Sequence, residues 1–405
     1  MPTPLVPDNG IPQRVSHPMS LDPHSATPPS AAADAASGAL SYRSAGVDYA
    51  VIDPLKVAAQ RAALATGGHL AMHGFKEVAA SRGESAYVVD VGPFYLASIV
   101  ECLGSKALVA DEMQRLTGRS YYAEIAQDTI AMAINDLITV GATPLVVQAY
   151  WAAGGSAWFA DAARAEALVA GWKAACDRCQ VAWGGGETPA LAGIVEAGRI
   201  DLAAACTGLI QPKTRLSLGD ALAPGDAIVL LESSGIHANG VSLARELAKR
   251  LPQGYLTPLP QSRDGVTYGD ALLEPTILYS PVTEALAAAG VVPHYAANIT
   301  GHGWRKLLRH SAALRYRIHT LPEVPQVLQF IREQADQDAR AAYGTFNMGA
   351  GFALFVHADD VARTLDVAHA QGVRAWHAGN VEAGVKELII EPLDLVFSGG
   401  ELQLR

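Results

Sequence analysis

The chain has 405 residues, half of them hydrophobic and 17% charged, enough apolar material for two or three cores and too much for global disorder. Thirty basic against forty acidic residues leave a net charge of −10, and with no basic stripe this argues against a nucleic-acid partner. Four cysteines, Cys102, Cys176, Cys179 and Cys206, form no disulfide framework and suit a reducing, cytoplasmic compartment.

Residues 1–40 hold eight of the 23 prolines and almost no periodic apolar pattern, which predicts a flexible extension with ordered structure from about Tyr42. No basic patch and apolar core of a signal peptide open the chain. β-Branched content predicts strands over Tyr87–Val91 and Leu96–Val100. Tyr122 to Val140 reads as a helix stopped by Gly141, where positive φ is cheap only for glycine. The uncharged run from Leu137 to Ala160 contains Gly141, Pro144, Gly154 and Gly155. It therefore reads as a helix end, a turn and a buried strand, not a membrane span.

Asp161 to Cys179 predicts an amphipathic helix with Leu168, Trp172, Ala175, Cys176 and Cys179 on its apolar stripe. Both cysteines of that Cys-x-x-Cys pair thus read as packing, not zinc ligation. Ile200–Ile210 is a further strand, and the turn-rich Pro212–Pro224 marks a boundary near 215. Beyond it come a buried strand over Ala227–Leu231, a helix from about Asn239 to Leu251, and a strand–helix–strand pattern over 351–377.

Four junctions carry candidate chemistry. Glu101-Cys-Leu-Gly-Ser-Lys106 follows a strand and ends in a lysine, and Trp183-Gly-Gly-Gly-Glu-Thr188 places a carboxylate after three glycines. Ser233-Ser-Gly-Ile-His237-Ala-Asn239-Gly240 leads from a strand into a helix N-terminus, a natural anion site. Asn298-Ile-Thr-Gly-His-Gly303 is another glycine-flanked loop. Between them, Asp128 and Asn135 lie within about 20° of each other on one helix, with Asp136 about 80° further round. Such polar groups on an apolar helix either mark a solvated edge or need a partner or an ion, and hard oxygens at that spacing suit Mg²⁺ with a nucleotide.

From Tyr42 to about Gly379 these motifs are similar, in order, to those of the aminoimidazole ribonucleotide synthetases (phosphoribosylformylglycinamidine cyclo-ligases). Tyr42–Asp48 resembles Y-K-x-A-G-V-D, and Glu101–Lys106 stands where the family has D-G-V-G-T-K. Asp128–Leu137 resembles I-D-x-x-A-M-x-x-N-D-L, Gly141–Pro144 G-A-x-P, and Gly185–Thr188 G-G-E-T. Ser233–Gly240 resembles S-S-G-x-H-x-N-G, Glu274–Tyr279 x-P-T-x-x-Y, and Thr345–Gly349 T-F-N-x-G. The resemblance implies an α+β, two-domain PurM-like ATP-binding fold. An N-terminal ATP and metal domain would span 41–215 and a C-terminal domain 216–390, with a tail over 391–405.

It also implies an ATP-dependent ring closure in purine biosynthesis, in which a formyl oxygen is phosphorylated, an internal nitrogen attacks and phosphate leaves. ATP and Mg²⁺ are the implied cofactors, a phosphorylated amidine or amide the substrate, and a homodimer the implied assembly. By position, Lys106, Asp128 and His237 would be catalytic, and Glu101, Asp128 and Asp136 would hold the metal. Gly104, Ser105, Lys106, Asn135, Gly185, Gly186, Glu187, Thr188, Asn239, Thr300, Gly301 and Gly303 would bind ATP or phosphate. The chain departs from the family at Glu101 (Asp), Cys102 (Gly), Asn298 (His), His302 (Gly), Arg305-Lys306 (Glu-Asn) and Gly344 (Arg), and Pro189-Ala-Leu-Ala192 lacks an acid. Two alternatives remain at this level: a paralogue activating a different amide or phosphate acceptor, and a nucleotide-binding protein without turnover.

Overall fold

The computed structural model describes residues 49–260 and 265–402, so the proline-rich extension and the Tyr42–Asp48 motif lie outside the described residues. The fold is α+β, built on two mixed sheets. The first sheet comprises β1 (Lys76–Glu77), β2 (Tyr87–Asp90), β3 (Tyr95–Cys102), β4 (Thr143–Ala153), β5 (Ala182–Glu187) and β6 (Ile200–Ile210). Their order is β1-β2-β3-β6-β4-β5. Four helices accompany it: α1 (Tyr49–Leu64), α2 (Lys106–Thr117), α3 (Tyr122–Leu137) and α4 (Ala162–Cys179). Only β4 and β5 run parallel in this sheet, because α4 is the crossover between them.

The sheet is covered on one face. Along β6, Leu202, Ala204 and Cys206 are buried and Asp201 and Thr207 exposed, the period-two signature of a half-covered sheet. On the covered face α3 packs against β3, β6 and α4 and also reaches the second sheet. It is therefore buried nearly all round, which is why its polar residues need partners. Aromatic edge contacts fill the layer with α4: Trp151 on Trp172 at 5.4 Å and Tyr122 on Trp158 at 5.1 Å. Cys176 and Cys179 lie buried there, their thiols pushed up to about 12 and about 11 by burial, as the packing reading requires.

The second sheet comprises β7 (Ala227–Glu232), β8 (Tyr295–Asn298), β9 (Leu314–Ile318), β10 (Ala350–Val356), β11 (Ala375–Ala383), β12 (Glu387–Ile390) and β13 (Leu395–Ser398). Their order is β13-β12-β9-β11-β7-β10-β8, and α5 (Val241–Arg250) follows β7. The strand–helix–strand pattern over 351–377 becomes β10, a helix over Val361–Ala370 and β11, with β7 paired antiparallel between the two strands.

One predicted element differs. The glycines of Trp183–Thr188 form half of β5 instead of a loop after a strand. Glycine is a poor strand former, but a Cβ on Gly186 would sit 2.0 Å from the Ala149 carbonyl oxygen, so only glycine allows this pairing. Among the described residues no helix is long and apolar enough to cross a membrane.

Candidate functional site

The predicted residues separate into three places. The first is a buried cluster beneath α3. Lys106, the first residue of α2, extends its ammonium to Asp128 Oδ2 at 2.7 Å, with both side chains wholly buried. The same ammonium donates to the Glu274 carbonyl at 3.0 Å. Asp128 Oδ1 accepts from the Thr276 N–H at 2.8 Å and its hydroxyl at 2.5 Å. The adjacent Gln127 donates to the Thr276 carbonyl at 2.8 Å. Two turns on, Asn135 donates to the Ile277 carbonyl at 2.8 Å and accepts from the Tyr279 N–H at 3.1 Å.

The polar face of α3 is thus neither a solvated edge nor an open ligand set. It grips the backbone of 276–279, so the I-D-x-x-A-M-x-x-N-D-L and x-P-T-x-x-Y motifs are two halves of one clasp. His237 joins this cluster with φ +59, an unusual backbone for a β-carbon residue. Burial, then the Lys106 charge, pushes its imidazole down to about 3. The neutral ring accepts at Nε2 from the Ser234 N–H at 3.2 Å, which leaves Nδ1 to carry the proton.

The second place is a cavity of about 300 Å³ between the two sheets' loops and α1. Glu101, Asp136, Asn239, Thr300 and Gly301 line it, together with Met132, His302, Lys306, Arg309 and Lys56. Asp136 Oδ1 accepts from Asn298 at 2.7 Å. Burial first, then the charge of Asp136, pushes the Glu101 carboxyl up to about 7. Asn239 points its amide at the Met132 sulfur at 3.7 Å.

The third place is the exposed rim. Gly185, Gly186, Glu187 and Thr188 are exposed at the β5 edge, and Gly104 (φ +75) is exposed in the loop before α2. Ser105 meets the Ser242 hydroxyl at 3.3 Å. Pairing registers put Glu101, Ala204, Ala149 and Gly186 in one row. The rim strand is therefore level with the Glu101 end of β3, about 14 Å across three strand spacings.

Two expectations are corrected by this geometry. Asp128 and Asp136 do not share a cleft, because Lys106 and Thr276 take up the oxygens of Asp128. Among the described residues no three His, Cys, Asp or Glu side chains converge as a metal cage, so the three-carboxylate set reduces to Glu101 and Asp136. Those two suit Mg²⁺, which takes one or two carboxylates and completes its shell with water and phosphate oxygens. Gly303 (φ +55) is the other: its Cβ would lie 2.2 Å from the Tyr343 carbonyl oxygen, so it serves close packing while Thr300 and Gly301 face the cavity.

Spacing alone did not find Lys56, His302, Lys306 and Arg309. The signal was present for two of them as departures from the family pattern: His302 for glycine and Lys306 for asparagine.

Comparison with known proteins agrees with this two-sheet plan. Residues 83–210 match the model of the AIR synthase related protein N-terminal domain, and 223–390 that of its C-terminal domain. A phosphoribosylformylglycinamidine cyclo-ligase of Methanothermobacter thermautotrophicus is 36% identical over 78% of this chain and 88% of its own length. Among solved structures, hydrogenase maturation protein HypE in complex with ATP aligns with TM-score 0.55 at 16% identity, over 77% of this chain and 86% of its own. AaThiL complexed with AMPPCP and TMP aligns with TM-score 0.51 at 16% identity, over 77% and 89%. The chain belongs to the AIR synthase related family.

Proposed function

We propose that this member of the AIR synthase related family is an ATP-dependent cyclo-ligase that closes formylglycinamidine ribonucleotide to aminoimidazole ribonucleotide. The observation that carries the reading is the 36% identity to the Methanothermobacter cyclo-ligase, which extends over 88% of that enzyme. An oxide is a poor leaving group and phosphate a good one, so transfer of a phosphoryl group to the formyl oxygen prepares that carbon for attack by the amidine nitrogen. A C–N bond forms, and the phosphate leaves with the former formyl oxygen. Side chains then have little covalent work, and positioning and charge neutralisation dominate.

Glu101 and Asp136 would hold Mg²⁺, whose chemistry here is neutralisation of phosphoryl oxygens. The Gly104–Ser105 loop and the Gly185–Thr188 strand are our candidates for the nucleotide, in an N-terminal half over 41–215. Lys106, Asp128 and His237 would act from beneath, fixing the 274–279 segment and the loop before α2. The open face of the first sheet, where Val100 is 70% and Leu145 41% exposed, supports a homodimer. Cysteine usage supports a cytoplasmic setting.

The test supplies purified protein with Mg²⁺, ATP and formylglycinamidine ribonucleotide and follows ADP and the aminoimidazole product. Equimolar ADP and product are expected. ADP formed only with some other amide, or ATP bound without any ADP, would overturn the reading.

A further inference from the structure

Among the described residues, Lys306 is the cation of the cavity wall whose charged group makes no hydrogen bond or ion pair. The residue is only 8% exposed and lines the cavity. Its neighbours are anchored. Arg309 donates to the Gly83 carbonyl at 3.2 Å and to the Ser85 hydroxyl, and Lys56 donates to Asp53 at 3.4 Å. Burial disfavours its charge, and Glu101 and Asp136 offset that only through space, neither within ion-pair distance of the ammonium. A phosphate in the cavity would contact it.

The wall mixes both signs, with Glu101 and Asp136 acting on Lys306, and Lys306, Arg309 and Lys56 acting on Glu101. The His302 ring is pushed down to about 3 by burial and then by Lys306, Arg305, Lys56 and Arg309. The Thr300–Gly301 turn adjoins His302 on the same wall. A cavity of about 300 Å³ holds part of a ligand rather than a whole nucleotide.

We propose that Lys306 determines substrate specificity in this cavity by taking a phosphomonoester, which it holds against the Thr300–Gly301 turn. The inference rests on the cyclo-ligase reading and deepens it by assigning the substrate's phosphate, not that of ATP, to this cavity.

Calorimetric titration of ribose 5-phosphate into wild type and Lys306→Met is the direct test. The variant is expected to bind at least about tenfold more weakly, the loss expected for a charge-assisted contact, with Lys306→Arg in between and ribose not binding to either protein. Affinity for the ATP analogue AMPPCP is expected to stay unchanged, and thermal melting confirms that each variant folds. In turnover, KM for formylglycinamidine ribonucleotide rises with kcat little changed, the pattern of a lost ground-state contact.

Equal ribose 5-phosphate affinity in wild type and Lys306→Met overturns the proposal, as does no binding by wild type or a loss confined to AMPPCP. A wild type that binds ribose 5-phosphate through Lys306 yet never closes the ring sinks the cyclo-ligase reading and leaves this inference standing. An active wild type whose KM does not move in Lys306→Met sinks the inference alone.

Discussion

Two groups of charged residues lie about 80° apart around α3, and they are built to opposite rules. Beneath the helix, Lys106 and Asp128 are wholly buried and ion-paired with each other, with Thr276 and the Glu274 carbonyl as their hydrogen-bond partners. On the cavity side, Glu101, Asp136 and Lys306 line one cavity of about 300 Å³, and Glu101 and Lys306 have no hydrogen-bonding partner among the described residues. A finished set of partners marks a strut, and an unfinished one marks a place for a ligand. The comparison therefore assigns the two flanks different jobs, although the sequence presents both as acids and lysines near glycines.

The largest effect should come from breaking the strut. Asp128→Asn leaves the Lys106 ammonium buried without a counter-charge, at a cost of about 3–5 kcal/mol. Urea unfolding measures it. The double replacement Lys106→Met with Asp128→Leu should recover only part of the loss: it removes the buried charge but leaves the Thr276 N–H and the Glu274 carbonyl without their partners. If Asp128→Asn instead melts like wild type while losing affinity for Mg²⁺ with ATP, Asp128 is a ligand and the division between the flanks fails.

A smaller effect, of opposite sign, is expected on the cavity flank. The Glu101 carboxyl titrates at about 7 in the fold against 4.5 for the free group. Between these values the folded protein keeps a proton that the unfolded chain has released. Stability contributed by this group is complete below pH 4.5 and declines as pH rises towards 7. Glu101→Gln should remove that part of the slope and unfold at higher urea than wild type at pH 7, while binding Mg²⁺ with ATP more weakly. A slope identical to wild type would show that Glu101 is solvated, and the cavity flank would lose its strained character.

Much of the scaffold could be read from the chain because its signals are local. Gly141 stops α3 and its short continuation with φ +82, and Asp161 caps α4 by accepting from the Arg164 N–H. The site was legible as residues but not as a grouping. The partner of Asp128 is Thr276, 148 positions away, and that of Asp136 is Asn298, 162 positions away. No helical period reports contacts of that range. The spacing correctly placed Asp128 and Asn135 on one face, yet backbone groups rather than water or an ion occupy it. β5 was unreadable for a different reason: its pairing is set by how closely Ala149 approaches, and a glycine run carries no trace of a neighbour.

The smallest effect serves as the control for the whole comparison. Lys173 and Asp177 on α4 form an ion pair at 2.5 Å, shorter than the 2.7 Å between Lys106 and Asp128. By distance alone it would be the stronger of the two. Its side chains are 71% and 62% exposed, however, so water and salt screen the attraction and hydrate either charge left alone. Asp177→Asn should therefore change stability by no more than about 0.5 kcal/mol and leave affinity for Mg²⁺ with ATP untouched. A loss at Asp177 comparable to that at Asp128 would mean that ion-pair geometry, and not burial, sets the energetics of this fold. The contrast between the strut and the cavity would then have no physical basis.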